Sequence, residues 1–259
     1  MRPYWAYYKK ALQAHLAYTG SLFTALLSQA LGFAITVLIW RGAWKGSGEE
    51  AKAFFAYLTL AFLCNFSLSI FLERSVGERI SEGLIATDLI KPVDFQNVYL
   101  FQSLSDATYQ SFIAAAVALA GALVLGPALL PAGALALGLG LLSWILAFFV
   151  QYGISFLFTQ GLFITFQNYG VFTTRMVLHQ AFAGIFAPLS VFPPQLKLVA
   201  DALPFQHVVY TPTAIWLGRL AGAQAQHALG LQVLWAAGLF LAGRLVFGRI
   251  RRNLVVQGG

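Results

Sequence analysis

Between Asp106 and Arg175 the chain runs for 68 residues, 107–174, without an Asp, Glu, Lys, Arg or His. As one helix that run would measure about 100 Å at 1.5 Å per residue, and the hydrocarbon core of a bilayer is only ~30 Å thick. It therefore has to cross a membrane at least twice. The turn falls at Gly126-Pro127-Ala128-Leu129-Leu130-Pro131, where two prolines and a glycine break the helical pattern. Composition agrees: 59% of residues are hydrophobic and 10% charged, against roughly 25% charged in soluble domains. The single cysteine, Cys64, excludes an internal disulfide framework.

The same reading predicts six spans in one transmembrane domain, 1–259: Ser21 to Trp40, Phe54 to Leu72, Ala107 to Leu125, Ala132 to Phe158, Met176 to Phe192 and Leu229 to Phe247. The fifth is short and interrupted by Gly184 and Pro188. Helices are expected because each span must satisfy its own backbone in lipid, and the segments are too long and apolar for barrel strands. Residues 1–20, with Trp5, three tyrosines and Lys9-Lys10 in the first ten, read as an interfacial helix and not a cleaved signal. Six spans put both termini on one side. Ten Lys and Arg fall on that side, Arg175 among them, and five on the other, which places the termini in the cytoplasm. The net charge of +7 is read as this topology and as attraction to lipid headgroups, not as nucleic-acid binding.

Motifs for chemistry are missing from the sequence. It has no Gly-x-x-x-x-Gly-Lys-[Ser/Thr] phosphate loop, no His-Glu-x-x-His, and four histidines without ligand spacing, so neither ATP nor a metal is expected on this chain. Asp106 and Arg244 are the charged residues expected at span ends. Asp106 is read as a cap of the third span, with a pathway-lining role as the alternative. The loop 73–97 carries more information. Val76, Ile80 and Leu84 form an apolar stripe, Gly83 interrupts the helix and Pro92 stops the next piece. Such a helix either lies on the inner leaflet or docks into a cytoplasmic partner.

The segment Gly83-Leu84-Ile85-Ala86-Thr87-Asp88-Leu89-Ile90-Lys91-Pro92 resembles the Gly-x-[Ile/Leu]-x-x-x-Leu-[Leu/Ile]-[Arg/Lys]-Pro stretch of permease subunits in the type-2 ABC export family. Pro188 to Pro194 and Leu203 to Pro212 are similar to the Phe-Pro and Leu-Pro-Phe stretches of the same permeases. The resemblance implies an all-α membrane protein with six spans, an N-terminal interfacial helix, a cytoplasmic coupling helix between spans two and three, and a broken, re-entrant fifth span. It implies a second permease, identical or homologous, paired through spans one and five. Two ATPase subunits would hold ATP and Mg. The membrane implied is a bacterial plasma membrane. Under it, Arg79, Glu82, Gly83, Asp88 and Lys91 contact the ATPase. Segment 184–219 forms an outer gate in which Pro188 and Pro193 set the bend, with Phe192 and Phe205 as plugs.

Cargo is the least legible property. Phe62, Asn65, Phe66 and Ser69 on the second span, with Trp144, Phe148, Phe149 and Tyr152 on the fourth, would suit an amphiphilic, cationic or lipid-like molecule, although aromatics at this spacing also serve packing. Ala114, Ala118 and Ala122 are expected at close helix contacts. A secondary transporter or channel, and an intramembrane enzyme, are the competing classes. Topology is directly testable. Cysteines placed at Asn253 and Ser81, with Cys64 removed, should be shielded from impermeant reagents in sealed cells, and one at Ser47 should react. An accessible Asn253 position would overturn the even span count.

Overall fold

The computed structural model describes residues 2–17, 19–43, 48–125, 129–165 and 168–253. Among the described residues it is helical without strands. Among those residues, four stretches are long and apolar enough to cross a membrane: Leu26–Ala43, Glu49–Ser81, Ala134–Thr165 and Gly222–Arg252. Gly126 to Ala128 of the expected turn, and Ser47, lie outside the described residues.

Helix α1 (Arg2–Ala17) lies along the start of α6 (Phe95–Leu125) and points the same way. Tyr4 stacks on Phe101, and about three turns later His15 sits 2.7 Å from Asp106 and stacks on Tyr109. Asp106 is thus in the middle of α6 and caps nothing. The cap is Asp94, whose carboxylate accepts from the Asn97 amide at 2.9 Å and also meets Arg244 at 3.1 Å. The hydrogen bond to Asp106 raises the His15 pKa against the opposing effect of burial. Helix α2 (Thr19–Ala43) touches α3 (Glu49–Ser67) through Phe33–Phe62 and Trp40–Phe54, so the two run antiparallel.

Past α3 the chain breaks at residues 68–71. It resumes as α4 (Leu72–Ser81), followed by α5 (Ile85–Ile90). No proline causes the break. Ser67 and Ser69 donate their hydroxyls back to the carbonyls of Cys64 and Asn65, at 2.7 and 2.9 Å, offering an alternative to the helical ladder. The carbonyls released are taken up from outside. Gln110 of α6 donates to Ser69 O at 3.1 Å, and Arg175 donates to Ile70 O at 3.0 Å.

The central element is α7 (Ala134–Thr165), and α11 (Gly222–Asn253) runs parallel to it. Ser143 pairs with Gln232 at 2.8 Å, Gly153 lies against Leu239, and Gln160 donates to Gly243 O at 2.8 Å. Helix α8 (Asn168–Phe182) is antiparallel to α3 and α4. The expected fifth span, Met176 to Phe192, is therefore shifted: the helix starts in the charge-free run and ends where Gly184 turns with φ 80°. Most other helices extend past their apolar windows, because neighbouring helices cover their polar ends. Helices α2, α6 and α8 run one way, and α3, α7 and α11 the other. The chain continues through a 3-10 turn at Leu189–Val191, α9 (Pro194–Asp201), a second at Pro204–His207 and α10 (Tyr210–Trp216).

The α7–α11 contact is close because glycine lies on both sides. A Cβ on Gly153 would sit 2.6 Å from Leu239 Cβ, and one on Gly243 would sit 2.8 Å from Phe156. Gly153→Ala should lower stability in detergent by about 1–3 kcal/mol through overpacking. Gly138→Ala, with open space around its Cβ, should not. Equal melting temperatures for the two variants would show that the glycine contact does not set the helix spacing.

Candidate functional site

The loop between α3 and α6 forms a helical corner. Gly83 turns between α4 and α5 with φ 70°, a conformation that other residues adopt only under strain. Arg79 and Lys91 both bond Asp88, Lys91 at 2.7 Å. Burial raises the Asp88 carboxyl, but these bonds outweigh it and hold the pKa below the usual carboxylate value. The hydrogen bond to Asp88 raises Arg79 in turn. Of the five loop residues singled out in the sequence, Arg79, Asp88 and Lys91 thus form one bonded cluster, with Lys91 still exposed, while Glu82 and Gly83 are exposed at the corner. Beside them stand two apolar side chains without cover, Leu84 and Ile90, the latter 81% exposed.

The inner face of the same loop carries what the sequence did not reveal. Glu73, in the first turn of α4, is fully buried, and Arg175 of α8 is 3% exposed at its side chain. Arg175 Nε lies 2.6 Å from Glu73 Oε1, Ser155 of α7 donates to the same oxygen at 2.8 Å, and Arg175 Nη2 reaches Ile70 O. The expectation that Arg175 is a loop charge, and that Asp106 and Arg244 are the charged residues near the spans, is overturned. Extending the apolar stripe of Val76 and Ile80 back by three residues reaches Glu73, and that was the available signal. One helical turn along α8, His179 donates to Asn65 Oδ1 at 3.0 Å, so the polar seam continues between α8 and α3.

The remaining pathway candidates mostly pack. Phe66 is buried, Phe62 makes edge contacts with Phe33 and Phe186, and Ser69 belongs to the break after α3. Trp144 of α7 donates to Ser67 at 3.0 Å. Ala114, which is buried, and Ala118 line an apolar groove of about 270 Å³ with Gly140 and Trp144, and the side chain of Ala122 lies outside the described residues.

Segment 183–219 folds back into the bundle. Tyr57 donates to Gly184 O at 2.7 Å, and Tyr210 N to Ala183 O at 3.0 Å. The Pro204–His207 turn then descends: Phe205 makes an edge contact with His179, and Cys64 reaches Val208 O at 3.5 Å. Cys64 is seven residues beyond Tyr57, or about 10 Å deeper along α3. Helix α10 climbs back, so that Trp216 bonds Leu129 O at 3.0 Å and Arg219 reaches Ala53 O at 2.7 Å. Of the two phenylalanines expected as plugs, Phe205 is buried. Phe192 is only half-buried, Pro188 is buried, and Pro193 is exposed at the start of α9.

A family model, ABC-2 family transporter protein, matches residues 26–258. The chain belongs to that family and is a membrane component of an ABC transporter. No curated protein sequence matches it significantly.

The buried pair makes a sharp prediction. Arg175→Met alone leaves a buried carboxylate uncompensated and should cost about 3–5 kcal/mol, whereas Glu73→Gln combined with Arg175→Met should recover most of it. Thermal unfolding of both single variants and the double in one detergent reads the coupling. Simple additivity of the two losses would show that the side chains do not act as a unit.

Proposed function

We propose that this chain is the permease of an ATP-driven exporter, with six crossings and both termini in the cytoplasm of a plasma membrane. The alternating directions of α2, α3, α6, α7, α8 and α11 support the count of six, with α8 and the fold-back segment together making the fifth crossing. Two ATPase subunits would bind below, carrying ATP and Mg, and a second permease, identical or homologous, would complete the pathway. The cargo class that suits a wall of aromatics and alanines with few exposed charges is amphiphilic or hydrophobic.

The observation that carries this reading is the two-sided construction of the loop. Its corner presents Glu82, Leu84 and Ile90 outward, while its inner face is fastened through Glu73 to Arg175. An exposed apolar anchor with a rim charge suits a groove on a partner protein. A displacement of α4 pulls on α8 through a buried ion pair, and α8 leads directly into the fold-back segment. A secondary transporter is the second reading. One observation favours it, the buried acidic side chain of Glu73, whose Oε2 has no hydrogen-bond partner among the described residues.

Co-expression with candidate ABC ATPase subunits separates the two. Export in liposomes should require ATP and the ATPase, and the chain alone should hydrolyse no ATP; transport by the chain alone on an ion gradient would sink the exporter reading. Ile90→Asp should reduce co-purified ATPase at least about tenfold, equivalent to ~1.4 kcal/mol. Glu82→Lys, a rim change, should reduce it less. Asp88→Lys acts differently, since it breaks the Arg79 and Lys91 bonds and should unfold the loop itself. Unchanged complex yield for Ile90→Asp would mean that the corner lies on lipid.

A further inference from the structure

A cavity of about 310 Å³ lies between α1, the coupling loop and the start of α6. It is at the small end of ligand sites, which run roughly 300–1,000 Å³. Three cations line it from three different elements: Lys10 of α1, Arg79 of α4 and Lys91 after α5. The acid lining it is Asp88. Asp88 takes the Arg79 Nε–H and one Lys91 N–H, which leaves further donors of a five-donor guanidinium and a three-donor ammonium for a ligand. Among the described residues Lys10 has no carboxylate within ion-pair reach. Tyr7 adds a hydroxyl to the wall, Tyr99 holds Asp88 and Arg79 through its own, and Ala11, Ala14 and Val98 give it an apolar floor. Net positive charge, a hydroxyl donor and an apolar base are the requirements of a phosphate joined to something greasy.

We propose that this cavity binds a phosphate-bearing anion, and that in the membrane the anion is the headgroup phosphate of an anionic phospholipid in the leaflet on the loop's side. The height of the cavity fits. On α1, Trp5 and Tyr8 stack at 4.5 Å with Lys9 exposed beside them, an arrangement suited to the headgroup layer. Basic pockets beside membrane helices on the cytoplasmic side take phospholipid headgroups for the same electrostatic reason. A phosphate seated here bridges α1 to the coupling loop, making the position of the loop depend on lipid charge. The proposal goes beyond the transport reading and is tested by binding alone.

The full chain is purified in detergent after reconstitution with phosphatidylcholine and phosphatidylglycerol, and retained lipid is counted by native mass spectrometry. The wild type should keep phosphatidylglycerol preferentially. Lys10→Gln, an exposed position whose loss should leave the fold intact, should lower that retention about fivefold, as removal of one cation near a membrane surface does. Lys91→Gln should do the same, and Lys9→Gln, which does not line the cavity, should not. A second arm titrates inorganic phosphate and glycerol 3-phosphate against lipid-free protein. Binding that depends on Lys10, without any phosphatidylglycerol preference, supports the phosphate site and assigns it to a soluble ligand. Equal retention of both lipids together with phosphate binding indifferent to Lys10 overturns the proposal, as does an equal loss of phosphatidylglycerol in Lys9→Gln and Lys10→Gln.

Discussion

The ion pair between Glu73 and Arg175 fixes how the loop side of this bundle is assembled. Removing two charges from water costs several kcal/mol for each ion, and attraction offsets that only when the other hydrogen-bonding positions are also filled. Here they are filled in part, on Arg175 by the break after α3 and on Glu73 Oε1 by Ser155, while Glu73 Oε2 has no hydrogen-bond partner among the described residues. The backbone leaves the helix at residues 68–71, freeing Ile70 O for Arg175, while Ser155 reaches Glu73 from α7. The break, the pair and the placement of α8 therefore depend on one another. Without the break Arg175 would lose a partner, and without Arg175 a carbonyl would face the apolar interior unbonded.

The rest of the bundle follows the same logic. In lipid, helices gain little from hiding apolar surface against one another, so close packing and interhelical hydrogen bonds set the register. Along α7 these bonds recur at intervals. Gln232 of α11 donates to Ser143 O and His207 O, Tyr152 to Gln96 O, Gln96 to Phe240 O, and Gln160 to Gly243 O. Nearly all end on a backbone carbonyl, so they define depth as well as contact. Gly153 and Gly243 then let α11 come close enough for these side chains to reach.

Helix existence was legible because it follows from charge spacing, which needs no tertiary information. Helix ends were not. Asp106 reads as a cap because the apolar window starts after it, but a helix neighbour, α1, supplies the polar cover that lets α6 begin at Phe95. The same cause hid the central pair. Glu73 and Arg175 each sit at the edge of an apolar window, where a charge ordinarily means a loop, and only the antiparallel pairing of α4 with α8 brings them together. Gly83 and Pro92 marked the corner of the loop correctly, since backbone conformation is a local property. The division of its charges into a cluster on Asp88 and an outer rim depends on folding and could not be read from spacing.

The fold-back segment shows how the two ends of the bundle are joined. At Gly184 the chain adopts φ 80°, and a Cβ there would sit 2.9 Å from the Tyr57 hydroxyl and 3.1 Å from Tyr210. Only glycine allows Tyr57 to hold the Gly184 carbonyl while Tyr210 holds that of Ala183. Below this turn, His179 sits between Asn65 of α3 and the ring of Phe205 at the deepest point of the segment. Arg175 is one helical turn further along, on Glu73. Thus α8, only 15 residues long, carries at its midpoint the pair that fastens α4 and, just past its C-terminal end, the glycine from which the fold-back segment hangs. The C-terminal half of α8, about 10 Å of helix from Arg175 to Phe182, is held by polar contacts at Arg175, at His179 and at the Gly184 turn, so it transmits a displacement instead of absorbing it. The short, broken fifth element, which by length looks too small to cross a bilayer, is by its contacts the part best placed to link the two faces of the protein.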